Sequence, residues 1–165
     1  MRARLAGAAP LVAAVVACTS VAGAQRDGKH ETVLPEVRVD AFAGRSVGAQ
    51  IGAGVALDAG FYTRLALLVA GGVERRPGGA LVGAERAEAV LRFHTDPLRK
   101  SSPGVYLGGG LGVRRSGAGP TRGVLIAVVG LEGAYGHHLA PAVELGVGGG
   151  ARLGVAIRRA RIDER

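Results

Sequence analysis

Cysteine, lysine, tryptophan and asparagine are scarce or absent in this chain of 165 residues. Tryptophan and asparagine are absent, lysine occurs only as Lys29 and Lys100, and the single cysteine is Cys18. Cys18 lies in the N-terminal stretch that is predicted below to be a cleaved signal peptide. The mature chain would then contain no cysteine, so neither a disulfide nor thiol chemistry is expected. The shortage of lysine also matters, since a surface washed by water usually carries many lysines.

Long hydrophobic runs are also missing, apart from one near the N-terminus. That run, LAGAAPLVAAVVA, has 13 residues, whereas a membrane-spanning helix needs about 20. It follows the positively charged start MRAR and precedes AGAQ, in which Ala22 and Ala24 are small residues suited to cleavage. This order predicts a cleaved secretory signal peptide over residues 1–24. The sequence VVAC leaves a second possibility open, a lipoprotein acylated at Cys18.

The charges give no sign of a nucleic-acid partner. Lysine and arginine number 21 against 13 aspartates and glutamates, and nearly all the basic residues are arginines interleaved with acids. A nucleic-acid-binding protein usually shows a basic patch supported by aromatic residues or by a motif, and neither is present. The glycine-rich stretches also lack the spacing and the lysine of a phosphate-binding loop. We therefore expect no nucleic acid as a partner.

Alternation of side-chain type is the strongest pattern in the sequence. In VGAQIGAGVALDAGFYTRLALL, residues 47–68, the bulky aliphatic side chains favour odd positions, while Gln, Asp, Arg and most glycines fall on even positions. Successive side chains of a β-strand point to opposite faces, so this period predicts strands. The same parity continues in EVRVDAFAG, ERAEAVLRFH, GVYLGGGLGVR, PAVELGVGG and ARLGVAIR, and more weakly in RGVLIAVVGLEGAY.

Seven turn signals separate these runs, among them RPGG, TDPLRKSSPG and GHHLAP. Seven connections imply eight strands, and short connections favour an antiparallel up-and-down meander. A sheet of eight such strands has two edge strands with unpaired backbone groups unless it closes into a barrel. We therefore predict an all-β, eight-stranded antiparallel barrel over residues 37–159. A periplasmic N-terminal tail at 25–36 precedes it, and a C-terminal tail at 160–165 follows.

The composition of the even-numbered face predicts which side of the barrel meets water. This face combines Arg, Glu and Asp with many glycines. Such a composition is typical of arginine–carboxylate ion pairs inside a narrow barrel, where glycines leave room for the long side chains. An outer-membrane barrel turns its aliphatic face to lipid, and the runs approach the 9–11 residues per strand that cross a bilayer. We therefore predict a transmembrane barrel in which Glu88, Glu132 or Glu144 pairs with an arginine across the interior. The predicted interior charge network comprises Arg38, Asp40, Arg64, Arg86, Glu88, Arg92, Glu132, Glu144, Arg152 and Arg158.

With its leader, strand count and alternation, the chain resembles the small eight-stranded outer-membrane barrels of the OmpA/OmpX type over about residues 37–159. The stretches RFHTDPLR and GVYLGGGLGVR look like ones in uncharacterised bacterial members. The resemblance implies termini in the periplasm, an interior plugged by side chains, and a structural, adhesion or defence role. It also implies outer-membrane lipid and the outer-membrane assembly machinery as partners, and a monomer. The chain departs from that group by ending in RRARIDER instead of an aromatic residue.

Two other functions stay open at this point. A soluble exported barrel of the lipocalin kind would turn the aliphatic face inward around a small apolar ligand. A lipid A-modifying barrel enzyme would use a histidine with a serine or an acidic partner, and His94, Thr95 and Asp96 raise that possibility. The serines all fall in predicted turns, however, so we expect no catalysis and a structural or narrow-channel role.

A pair of histidines raises the question of a metal site. His137 and His138 lie in a turn flanked by glycine and proline. Adjacent residues on a strand point opposite ways, so the pair is a poor chelate without a third ligand. We expect no metal and no other cofactor.

Overall fold

The computed structural model describes residues 33–96, 102–134 and 139–159. No helix in these ranges is long and apolar enough to span a bilayer. The predicted signal peptide, Cys18, the two adjacent histidines and the predicted tail at 160–165 lie outside the described residues. Most of the predicted tail at 25–36 lies outside them as well.

Eight antiparallel strands form one sheet that closes on itself, in the order in which they follow along the chain. The predicted all-β, eight-stranded antiparallel barrel is thereby confirmed. The first strand pairs with the last over most of its length, so the closed sheet has no free edge. The strands are β1 (Val33–Ala43), β2 (Val47–Asp58), β3 (Thr63–Arg75), β4 (Leu81–His94), β5 (Gly104–Ser116), β6 (Arg122–Glu132), β7 (Leu139–Val147) and β8 (Ala151–Arg159).

The pairing register shows that the strands are staggered around the barrel. Following directly paired residues once around it leads from Val33 back to β1 at Ala43, a displacement of ten residues. Such a stagger requires tilted strands, and eight strands enclose an interior just wide enough for side chains to fill. The path runs through Leu57, Leu65, Leu91, Gly109, Ala127, Val147 and Ala151.

In every strand the buried side chains occupy even positions and the exposed aliphatic side chains occupy odd ones. Arg38, for example, is 2% exposed, whereas Leu125 is 77% exposed. The strand with the weakest alternation in the sequence, β6, follows the same rule, because Ile126 and Val128 are buried. The charged face is therefore the interior, and the aliphatic face is the exterior.

Glycine lines the interior where neighbouring strands approach each other most closely. A Cβ atom added at Gly54, Gly72 or Gly110 would collide with a backbone oxygen of the adjacent strand. Glycine at these places lets the sheet bend tightly enough to close. It also leaves room for the long arginine side chains of the other strands.

The first strand begins earlier than predicted. We expected the barrel to start at residue 37, whereas β1 starts at Val33 and pairs with Leu57 there. Pro35 lies in this early part of β1. Proline has no N–H group to donate to a neighbouring strand, so its presence in a sequence argues against a strand. It is tolerated because the pairing with β8 runs only from Glu36 onward. Residues 33–36, predicted as part of the tail, therefore belong to the barrel.

Candidate functional site

The interior of the barrel holds twelve buried charged side chains, six arginines and six carboxylates. Each is at most 8% exposed, and the two signs balance. All ten residues of the predicted charge network are among them, while Glu36 and Glu74 were not predicted. The set is Glu36, Arg38, Asp40, Arg64, Glu74, Arg86, Glu88, Arg92, Glu132, Glu144, Arg152 and Arg158.

Glu144 on β7 is the centre of this network. Its carboxylate oxygens lie 2.6 Å from Nη2 of Arg38 and 2.5 Å from Nη2 of Arg158. Arg152 and Arg92 approach the same carboxylate to 3.1 and 3.2 Å. Charge-assisted hydrogen bonds of this kind are about twice as strong as neutral ones. One carboxylate on β7 thus contacts guanidinium groups from β1, β4 and β8.

Glu36 is a second centre, nearer the end of the barrel at which β1 begins. Arg92 donates to it from both terminal nitrogens, at 2.5 Å from Nη1 and 3.0 Å from Nη2. This two-pronged geometry matches a planar guanidinium to a planar carboxylate. Arg158 donates to Glu36 from Nε at 2.8 Å. The pairs join β1 to β4 and to β8 across the interior.

Asp40 and Glu88 continue the network toward the other end. Arg38 donates from Nε and Nη2 to the two oxygens of Asp40, at 2.8 and 2.7 Å, and Arg86 donates to Asp40 as well. Arg152 Nη1 lies 3.0 and 2.9 Å from the two oxygens of Glu88. Ions therefore follow one another along much of the interior.

Glu132 completes the set of predicted pairs. Its Oε1 accepts a hydrogen bond from Arg158 Nη1 at 3.1 Å, and its Oε2 lies 3.7 Å from Arg64 Nη1. All three glutamates singled out in the sequence, Glu88, Glu132 and Glu144, are thus paired with an arginine on another strand. Each of the three glutamates thus joins its own strand to another strand of the barrel through an ion pair.

Tyr106 is an interior residue that the search for charged side chains missed. It is fully buried, and its hydroxyl donates to Glu144 at 2.5 Å and accepts from Arg158 Nη2 at 2.9 Å. Its ring stacks on His94, with 5.1 Å between the ring centroids. The same ring lies where a side chain of Gly130 would have to be. The even number of Tyr106 is the signal that places it inside.

Replacing Gly130 by alanine tests this contact between ring and backbone. We expect Gly130→Ala to lower the free energy of unfolding by about 1–3 kcal/mol, the usual cost of overpacking a filled interior. Urea unfolding followed by circular dichroism measures the loss. Gly123→Ala on the same strand is the control, because nothing lies within 4 Å of the added Cβ. Equal stabilities of the two variants would contradict the tight packing of Tyr106 on β6.

The rest of the interior is filled by apolar side chains. Ala66, Leu68, Val90, Ile126 and Val128 pack together on β3, β4 and β6. Buried charged side chains occupy other interior positions of these same three strands, and of β1, β7 and β8. A small cavity near the β1–β2 turn is bordered by other side chains and turn residues, which include Phe42, Gln50, Arg86 and Arg114.

Among the described residues considered for catalysis, His94 is buried, and its Nδ1 lies 3.5 Å from Oε2 of Glu132. The His94 ring lies inside the barrel, whereas the exposed Thr95 donates from Oγ1 to the carbonyl of Val105 at 2.9 Å. No group of three or more His, Cys, Asp or Glu side chains in the described ranges is placed to hold a metal ion. No protein-family model matches this chain, and no curated protein matches it.

Proposed function

We propose that this chain is a monomeric outer-membrane β-barrel protein with a structural role, whose interior is plugged by its ion network. The observation that carries the proposal is the exterior of the barrel. Outward side chains on the strands are aliphatic, small or aromatic, apart from Thr63 and four charged residues. These four all lie within five residues of a strand end: Arg75, Glu85, Arg115 and Arg159.

The height of the apolar exterior fits a bilayer. β1 has 11 residues, and its outward side chains are all apolar. At about 3.3 Å per residue and a tilt of about 40°, such a strand rises about 25 Å along the barrel axis. The apolar band of outer-membrane barrels is about 25 Å tall. The bands of neighbouring strands lie side by side, because the strands are paired along their lengths.

The extent of the exposed apolar surface argues against an exterior in water. Among the described residues, 25 large hydrophobic side chains are exposed, and their exposed fractions run from 41% at Leu67 to 77% at Leu125. Soluble monomers rarely expose apolar patches of more than a few hundred Å². A lipocalin-like carrier would need the opposite arrangement, with this face around a ligand and the arginines outside. The orientation of the side chains therefore favours lipid over water.

The interior supports a structural or narrow-channel role. Six arginines and six carboxylates fill it together with the apolar cluster, as expected of a barrel with eight strands. In the OmpA/OmpX-like topology, the start of β1 and the end of β8 face the periplasm. The outer-membrane assembly machinery inserts the barrel. We extend both features to this chain as part of the proposal.

Expression in a Gram-negative host tests the location. We expect the protein in the outer-membrane fraction, with a folded form that migrates differently on a gel before and after boiling. A change in migration on heating shows a barrel that resists detergent until it unfolds. Recovery of the protein in the soluble periplasmic fraction would overturn the proposal and favour a secreted carrier.

A further inference from the structure

One end of the barrel is rich in exposed arginines. All four turns at this end are described, at residues 44–46, 76–80, 117–121 and 148–150. No acidic side chain at this end is exposed, since Glu74 is buried and Glu85 is half-buried. We call the exposed arginines the arginine rim: Arg45, Arg75, Arg76, Arg115 and Arg122.

Two members of the arginine rim face outward just beyond the apolar exterior. Arg75 is the last residue of β3, in register with Val47 and Leu81, so its paired positions carry no acid. Arg115 is in register with Glu85, which offsets part of its charge. Arg76 donates to the carbonyl of Ser116 at 2.6 Å and is thereby held at the same end.

The opposite end has a different surface. There Phe61, Tyr62 and Phe93 pack against one another outside the barrel, with ring centroids 4.8 and 5.7 Å apart. Aromatic rings are enriched at both interfaces of outer-membrane barrels. Among the described residues, this end carries the three aromatic rings and the exposed Arg159, whereas the arginine rim lies at the other end.

We infer that the arginine rim binds the phosphate groups of anionic lipid headgroups at its face of the membrane. This inference rests on the proposed function, because the rim meets headgroups only if lipid surrounds the exterior. A guanidinium is matched to phosphate oxygens by shape and by charge. Each arginine near an anionic membrane surface raises the binding constant for that surface about fivefold. The rim therefore selects anionic over zwitterionic lipid where the apolar exterior ends.

A single tryptophan can report on the lipid at each end, because the chain contains none. Leu81→Trp places the reporter beside Arg75 in the register. Leu131→Trp places it near the other end, in register with Val105 and Val143. Each folded variant is reconstituted in phosphatidylcholine bilayers, and quenching by brominated phosphatidylglycerol is compared with quenching by brominated phosphatidylcholine.

We expect phosphatidylglycerol to be preferred at position 81 by about fivefold or more, and not at position 131. Replacing Arg75 and Arg115, the two members that face outward, by glutamine should lower the preference at position 81. Replacing both by lysine keeps the charge and should largely preserve it. Added salt should weaken the preference.

The possible failures are distinguishable. Equal quenching by the two lipids at position 81, or a preference that is unchanged in the glutamine variant, would overturn the inference and leave the proposed function intact. An absence of quenching by either lipid at both positions would overturn the proposed function and this inference together.

Discussion

Replacing Glu144 by alanine is expected to lower the free energy of unfolding by about 3–5 kcal/mol, the usual cost of removing one partner of a buried ion pair. The loss is large because four guanidinium groups share this carboxylate, and all four are buried. Glu144→Gln keeps the shape and removes the charge, so we expect it to be strongly destabilised as well. Urea unfolding of the refolded barrel in detergent micelles gives both values.

Glu74→Ala is the matched control for that experiment. Glu74 pairs with Arg114 at 2.5 Å, but the Arg114 side chain is 21% exposed and can turn to water when its partner is removed. An ion pair open to solvent contributes about 1 kcal/mol or less. If Glu144→Ala and Glu74→Ala lose the same stability, the central role of Glu144 in the network is wrong.

Placing an arginine on the middle of the exterior is the second change with a large expected effect. Leu145 on β7 is 56% exposed and faces outward between Val143 and Val147. If lipid surrounds it, Leu145→Arg should lower the free energy of unfolding from phospholipid vesicles by about 2–4 kcal/mol. The cost arises because the guanidinium loses its water in the hydrocarbon.

Leu81→Arg is the control, since Leu81 begins β4 at the end of the exterior. An arginine there reaches the interface, where the cost falls to about 0–1 kcal/mol. A difference between the two variants measures depth in the bilayer. If water surrounds the barrel, both arginines are solvated and neither variant loses stability, which would contradict the proposed membrane location.

The alternation of side chains predicts most of this fold because a barrel of short connections has few ways to close. Parity divides the strand residues between two faces, and the composition of the even-numbered face predicts which face is inside. The division holds even on β6, where Ile126 and Leu125 are both apolar. The sequence also predicts that Glu144 lies inside with arginines. The two-residue alternation of side chains and the balance of charges on one face are local properties of the chain. They can therefore be recognised in a single sequence.

The partners of each charge are not readable in the same way. Which arginine pairs with Glu36 depends on the stagger of ten residues around the barrel. No local sequence pattern predicts the size of this stagger. Glu36 itself was assigned to the predicted tail at 25–36, and Glu74, beside the turn at Arg76, was not predicted. Tyr106 has the right parity, but only the structure shows that the missing side chain of Gly130 makes space for its ring.

The seam between the first and last strands has a consequence for biogenesis. Arg158 lies next to the last described residue, yet it holds Glu36 at the start of the barrel, 122 positions earlier in the sequence. A polypeptide that lacks β8 would deprive Glu36 of Arg158, and Glu144 of Arg152 and Arg158, and would leave β1 with an unpaired edge. The ion network is therefore complete only when the last strand has closed the sheet.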